Sequence, residues 1–302
     1  MEQTEVIIIG QGPAGLSAAL YTARAGLSTL VLGSDPKVAG DYAIDNYFGF
    51  PDTITGKELI ERGVAQARKF GVAIEKERVL GIHFNDNGAF IVKTDRRELQ
   101  SCAVILATGV ERRRPAIGNL ADYEGRGVSY CVSCDGYFFK NRRILVIGEG
   151  NYAANQAIEL LEYSRNVSIC TMGKPAAMNR EFMDAIAAEG ISFIESPVTT
   201  LKGDGRLTHV ILASGEERET DGLFIAMGDA SSIDFARTLG IFTSGNFIEV
   251  DGTQKTNVPG IFAAGDCVGG FLQISVAVGE GAKAGRSAIE HVKQICRGRS
   301  GS

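Results

Sequence analysis

Val6-Ile7-Ile8-Ile9-Gly10-Gln11-Gly12-Pro13-Ala14-Gly15 is the stretch that decides the fold. Four consecutive apolar residues read as a fully buried strand. Three glycines follow at fingerprint spacing. The first permits the tight turn, the second lets backbone approach a pyrophosphate, and the third lets helix and strand pack closely. Residues 16–25 then read as a helix rich in Ala and Leu, and residues 28–32 as the next strand. The fingerprint therefore sits inside a complete βαβ unit, with a helix N-terminus facing the phosphate charge. An acidic residue about 20 positions on normally meets a ribose hydroxyl. Asp35 stands close to that place, although Gly33 takes the strand end itself.

The same pattern returns at Gly148-Glu149-Gly150-Asn151-Tyr152-Ala153. A strand over 143–147 leads into it, and a helix over 153–163 and a strand over 166–171 follow. Between the two units, residues 57–70 have helical periodicity. Residues 79–84 and 89–94 alternate as a hairpin, and residues 103–109 form a buried strand ending in glycine. The charged stretch Glu111-Arg112-Arg113-Arg114-Pro115 breaks the pattern and marks a linker. Beyond the second unit the pattern predicts a helix over 182–188. Strands follow over 191–194, 207–212, 223–226, 247–250 and 261–264, then a long helix over 273–292.

The chain's 302 residues are long enough for two domains, and 38 glycines fit the many tight turns of an α/β fold. A net charge of −5 gives no electrostatic reason to propose nucleic acid as a partner. No apolar run approaches a membrane span, and the acidic start runs straight into a strand rather than a secretory signal. The six cysteines lie at 102, 131, 134, 170, 267 and 296, with one pair close together. This is a reducing, cytoplasmic pattern rather than a disulfide scaffold.

That pair is Cys131-Val132-Ser133-Cys134, followed by Asp135. Structural zinc needs four ligands. The other cysteines are isolated, and His83, His209 and His291 have no ligand spacing, so no metal is expected. A redox-active dithiol is the reading, with Cys134 beginning a helical turn that lowers its thiol pKa and Asp135 shuttling the proton. Cys102, Cys170 and Cys267 lie in or beside apolar strands and read as core. Tyr47 and Phe48 are either core aromatics or a shield for a flavin ring.

In order along the chain come the first fingerprint, Asp45-Asn46-Tyr47-Phe48-Gly49-Phe50-Pro51 and Ala107-Thr108-Gly109. The block from Gly125 to Gly136 around the CxxC follows, then the second fingerprint and Pro259-Gly260-Ile261-Phe262-Ala263-Ala264-Gly265-Asp266. Together they resemble the low-molecular-weight thioredoxin reductases over nearly the whole chain. The resemblance implies an α/β protein of two Rossmann-like three-layer domains, the second inserted into the first. The FAD-binding domain is expected over 1–113 and 244–302, and the CxxC-bearing domain over 114–243. For FAD it implies Gly10, Gly12, Pro13, Ala14 and Gly15, with Asp35, Asn46 and Val79. It adds Thr108 and Gly109 at one strand end, and Gly265, Asp266, Gln273 and Ile274 near the C-terminus. Cys131, Cys134 and Asp135 become the catalytic set, passing electrons from flavin to thioredoxin in a homodimer. Cys131 is expected to be the more exposed thiol, and Cys134 the one nearer the flavin.

The departures from that family are informative. Its members hold the 2′-phosphate of NADPH with arginines after the second βαβ unit. Thr171-Met172-Gly173 and Ala177 stand there instead. The acidic pair of the following helix is replaced by Asn155-Gln156, the glycines near the flavin by Val38-Ala39-Gly40-Asp41, and the Arg before Gln273 by Leu272. The chain thus resembles the pyridine-nucleotide-independent branch, the ferredoxin-dependent flavin thioredoxin reductases and the deeply branching cyanobacterial-type enzymes. NADPH is disfavoured on these grounds. Lys174 and Arg180 nevertheless stand within reach of a phosphate. Ferredoxin is an expected donor, docking on Arg112 to Arg114, Arg142-Arg143, or Arg297 and Arg299. Three alternatives stay open: an NADPH-dependent reductase with a diverged site, a dithiol oxidase using oxygen, and a non-enzymatic flavoprotein.

Overall fold

The computed structural model describes residues 2–41, 43–85, 88–109, 115–228 and 230–296. The chain divides into two compact units, residues 1–111 with 231–302, and residues 112–230.

In the first unit a seven-stranded sheet is built around the fingerprint strand, Glu2–Ile9. It runs parallel to Thr29–Leu32 on one side and to Glu98–Leu106 on the other. Thr29–Leu32 pairs in turn with Ala73–Glu75. The strand Glu98–Leu106 begins five residues before its sequence expectation, and its two halves differ. Residues 98–101 alternate in burial and pair antiparallel with Phe90–Thr94. Residues 103–106 are uniformly buried, and 104–106 pair in parallel with Ile261–Ala263 of the returning C-terminal segment. That pairing makes the unit discontinuous in sequence.

Helix Pro13–Arg24 starts three residues earlier than the periodicity implied, because Pro13 fits the first helical position, where no N–H partner is needed. It packs against Ile274–His291 at close range. A Cβ on Gly281 would lie 2.1 Å from the Ala14 carbonyl oxygen, so only glycine permits that approach. The core between sheet and helices includes Val6, Ile8, Val31, Ile105 and Phe262.

Helix Ser232–Leu239 was not visible in the periodicity. A capping box between Ser231 and Asp234 starts it, and Gly240 in a left-handed conformation ends it. It belongs to the first unit, so the observed boundary falls at 230 rather than at the expected 243. Residues 247–250 shorten to Phe247–Ile248, paired with Thr243–Ser244 in a separate small ribbon.

The second unit holds a five-stranded parallel sheet ordered Ser192–Ile194, Val167–Cys170, Ile144–Ile147, Gly222–Ile225 and Val128–Ser129. A three-stranded antiparallel sheet, Val198–Lys202, His209–Leu212 and Glu217–Glu219, accompanies it. Its outer strands, Val-Thr-Thr-Leu-Lys and Glu-Arg-Glu, carry neither an apolar run nor a period-two alternation, which hid them from sequence. The helix after the second fingerprint runs Asn151–Leu160, and Arg180–Ala188 is capped by the Asn179 side chain. Both Rossmann-like units of the expected α/β class are thus present.

Candidate functional site

The first glycine turn could hold a dinucleotide phosphate. A Cβ on Gly10 would strike the Ala107 carbonyl oxygen at 2.1 Å, and one on Gly15 would strike the Gly10 carbonyl oxygen at 1.9 Å. Both glycines therefore serve packing. Gly12 differs: among the described residues a Cβ there would meet only Pro36 Cβ, at 3.8 Å. Gly12 caps helix Pro13–Arg24 with no side chain satisfying the helix N-terminus. The space beside Gly12, together with these uncapped N–H groups, is what an anionic pyrophosphate requires.

Other residues expected around FAD lie within the same unit. The Asn46 side-chain amide donates to Gln273 Oε1 at 3.1 Å. Thr108 Oγ1 accepts the Ser232 N–H at 3.2 Å, and Gly109 beside it has a positive φ. Glu280 accepts the Gly265 N–H at 2.8 Å, bracing the turn that carries Asp266. Burial raises the Glu280 carboxyl pKa, partly offset by that N–H. Ile274 opens the helix that Gln273 caps. Val79 is buried at the start of Val79–Phe84, paired with Thr94. Asp35 is engaged by Lys76, 2.7 Å away, a partner that sequence spacing did not reveal. Gln11 spans the neighbouring strand ends, its amide donating to the carbonyls of Gly33 and Glu75, both at 2.8 Å. Phe48 is 97% exposed, which overturns its reading as a core aromatic, while Tyr47 stacks on Phe50. Cys267 is fully buried, and burial pushes its thiol up to about 12. Burial likewise raises Cys170. Cys102 is only partly buried.

In the second unit Cys131 and Cys134 form a disulfide, with Cα atoms 5.3 Å apart. The helical turn is Val132–Asp135, so it begins after Cys131 rather than at Cys134. Cys131 Sγ accepts the Cys134 N–H at 3.2 Å. The helical environment expected of Cys134 thus belongs to Cys131. Exposure is reversed as well: Cys131 is buried at the cap, whereas Cys134 is exposed on the first turn. Ser129 was not anticipated. Its hydroxyl donates to Asp135 Oδ2 at 2.6 Å and accepts the Cys131 N–H at 3.2 Å. One buried hydroxyl thereby ties the acid to the dithiol. Its signal was in the sequence, two residues before the CxxC, but nothing there showed its direction. Tyr137 and Phe138, just beyond, are 71% and 72% exposed.

The second glycine turn is differently furnished. After strand Val167–Cys170, Met172 and Gly173 both adopt positive φ, 56° and 78°. This turns Met172 back onto the unit's core, where its sulfur accepts the Val198 N–H at 3.4 Å. Lys174 Nζ lies 2.6 Å from Glu149 Oε1, and Arg180 pairs with Asp184 at 3.7 Å. The Ala177 N–H donates to the Glu149 carbonyl at 2.6 Å. On the helix, the amides of Asn155 and Gln156 both donate to the Glu159 carboxylate, at 2.8 and 3.0 Å. No group of three or more His, Cys, Asp or Glu is placed to hold a metal among the described residues. Nor is any of their helices long and apolar enough to cross a membrane. Arg112 to Arg114, Arg297 and Arg299 lie outside the described residues.

A family model, pyridine nucleotide-disulphide oxidoreductase, matches residues 4–281. The thioredoxin reductase of Listeria monocytogenes is 35% identical, over 96% of this chain and 94% of its own. The crystal structure of the atypical thioredoxin reductase TRi from Desulfovibrio vulgaris Hildenborough is 58% identical. It superposes with a TM-score of 0.96, over 97% of this chain and 99% of its own. A ferredoxin-flavin thioredoxin reductase from Clostridium acetobutylicum is 29% identical with a TM-score of 0.73, over 97% and 99%.

Proposed function

We propose that this chain, which belongs to the pyridine nucleotide-disulphide oxidoreductase family and within it to the thioredoxin reductases, reduces thioredoxin without a nicotinamide donor. The end of strand Val167–Cys170 carries the second half of this reading. Selectivity for either nicotinamide dinucleotide rests on a charged residue there, cationic for NADPH and acidic for NADH. Thr171 is neutral, Met172 faces the core, and Lys174 is already paired.

The family implies FAD. The turn at Gly12 would hold its pyrophosphate, with Asn46, Gln273, Thr108 and Asp266 around the remainder. When bound, FAD supplies a carrier that can accept electrons singly and deliver them in pairs. The chain's own part is thiol–disulfide exchange. Reduction of the Cys131–Cys134 disulfide takes up two electrons and two protons. One thiolate of the pair attacks a thioredoxin sulfur, forming a mixed disulfide and releasing the other thioredoxin sulfur as thiolate. The remaining cysteine then attacks its neighbour, closing Cys131–Cys134 and freeing dithiol thioredoxin. Asp135, oriented by Ser129, relays the protons. Exposed Cys134, Tyr137 and Phe138 offer a partner an apolar surface beside the reactive sulfur.

The electron source in this reading is a small iron–sulfur protein such as ferredoxin, giving two single electrons per disulfide. The relative named a ferredoxin-flavin thioredoxin reductase supports that choice. A homodimer in a reducing cytoplasm completes the proposal. The intact fingerprint of Gly148, Gly150 and Ala153 favours a second reading, NADPH use through a diverged site. Anaerobic titration separates them. Reduced ferredoxin should bleach the flavin and support thioredoxin reduction, whereas micromolar NADPH should do neither at turnover rates. Rapid bleaching by NADPH would reject the nicotinamide-independent reading.

A further inference from the structure

The glycine turn of the second unit contains an acidic residue, Glu149, between its two glycines. Its side chain is only 14% exposed, and it reaches across to the segment that follows strand Val167–Cys170. There it meets Lys174 at 2.6 Å. Lys174 is the lysine of the segment on which dinucleotide recognition depends. Arg180, the other cation in reach along the sequence, pairs with Asp184 instead. Glu149 Oε2 is buried and has no hydrogen-bond partner among the described residues. One carboxylate oxygen is thus spent on Lys174 and the other is left unsatisfied, so the side-chain pairing of this acid is directed at that lysine.

The corresponding residue of the first unit makes the contrast plain. Gln11 occupies the same place between two fingerprint glycines and also reaches the neighbouring strand end. It is neutral, so it leaves the charge of that cradle unchanged. Glu149 brings a full negative charge to the turn and ties up a cation.

We infer that Glu149 is a specificity-determining residue that excludes phosphorylated dinucleotides, by neutralising Lys174 and placing its own carboxylate where an incoming phosphate would be repelled. The inference rests on the nicotinamide-independent reading, because it supplies a reason for that independence beyond the missing arginines. In this arrangement Lys174 is a latent phosphate ligand held in reserve by an internal counter-anion. Removing the anion leaves a lysine free beside the N-terminus of helix Asn151–Leu160, where Gly150 supplies no side-chain cap.

The test is binding of NADPH to the FAD-loaded protein, followed by calorimetry, for wild type, Glu149→Gln, Lys174→Met and the double variant. Glu149→Gln should tighten NADPH by about tenfold or more, the scale of one recovered charge-assisted contact. The gain should shrink with added salt, and NADH, lacking the 2′-phosphate, should gain less. Lys174→Met alone should leave the weak wild-type binding unchanged, and added to Glu149→Gln it should abolish the gain. Retained flavin and an unchanged thermal melt would show that each variant is folded. Should Glu149→Gln fail that check, Lys174→Met still decides, because weakened NADPH binding would show the lysine already free. Tight micromolar binding by wild type would overturn the nicotinamide-independent reading itself. Weak binding by wild type and equally weak binding by folded Glu149→Gln would overturn this inference alone.

Discussion

Replacing Gly12 with valine should remove the flavin and leave the fold. Gly12 has φ −79° and ψ −177°, a conformation open to any residue, so the backbone imposes no strain on a side chain there. Its Cβ would meet only Pro36, at ordinary contact distance. The apo protein should therefore accept the substitution, unlike alanine at Gly10 or Gly15, where backbone oxygens lie about 2 Å from the new atom. The cost falls on the ligand. A valine occupies the approach to the helix N-terminus and blocks N–H contacts to the pyrophosphate. Charge-assisted hydrogen bonds contribute about 1.5–3 kcal/mol each. Losing two gives about 3–6 kcal/mol, or roughly a hundredfold to ten-thousandfold weaker FAD. Purified Gly12→Val should be nearly colourless, with native-like circular dichroism. Adding FAD should raise the melting temperature of wild-type apoprotein but not of the variant, because only a ligand that binds the folded state shifts the transition. Stoichiometric FAD in Gly12→Val would refute the assignment of this turn to the pyrophosphate. An unfolded variant would refute the reading of an open cradle.

Four further outcomes follow. Because Cys134 is exposed and Cys131 buried in this conformation, Cys131→Ser should trap a mixed disulfide with thioredoxin through Cys134, and peptide mapping that finds cross-links only through Cys131 in Cys134→Ser would reverse the roles. Ser129→Ala should lower thioredoxin-reducing turnover by about tenfold or more, on the scale of one hydrogen bond to a charged group; it should lower the melting temperature only modestly, both effects should recover with Ser129→Thr, and unchanged turnover would remove Ser129 from the site. In native, reduced protein at pH 8, iodoacetamide should label Cys134 rapidly and leave Cys267 unmodified, since burial raises that thiol to about 12; equal labelling rates would contradict its burial. Arg143 holds the Asp221 carboxyl below its ordinary range through a side-chain hydrogen bond, so this stabilisation is present above the unfolded value and lost as pH falls through the depressed one. Arg143→Gln should accordingly lower the melting temperature at neutral pH and differ little from wild type in strong acid, and a gap that widens in acid would show the sign to be wrong.

Much of the fold was legible because each fingerprint follows a run of four apolar residues, Val6 to Ile9 and Ile144 to Ile147, and a buried parallel strand leaves little room for another reading. The return of the last segment was carried by resemblance, and the pairing of Ile261–Ala263 with the end of Glu98–Leu106 now gives its physical basis. Helix Ser232–Leu239 escaped because its buried positions include the polar Ser232 and Asp234, which blur an apolar stripe, although Ser231 and Asp234 at capping-box spacing were there to be noticed. The dithiol was legible as a motif but not as a geometry. A CxxC spans one turn of helix, and shifting the helix start by a few residues exchanges which sulfur is capped and which is exposed. The sequence contains no marker for that start, because Cys131, Ser133 and Asp135 are all residues that can occupy an N-cap.

The second glycine turn shows the limit most clearly. The resemblance to the family identified the missing arginines, yet the sequence left Lys174 and Arg180 within reach of a phosphate. Their fate depends on one backbone angle and one long-range pair. Met172 in a left-handed conformation costs about 1–2 kcal/mol relative to the right-handed one. The core contacts of its side chain and the glycine at 173 make that conformation tenable. The turn so formed carries Lys174 toward Glu149, 25 residues earlier. Neither residue is unusual by itself, and a positively charged segment beside a glycine turn reads from sequence as a phosphate site. Only the pairing turns the same residues into an obstacle to phosphate. A glycine fingerprint therefore reports the backbone path of a βαβ unit, while the charge of the residues lining that path decides which ligand, if any, it accepts.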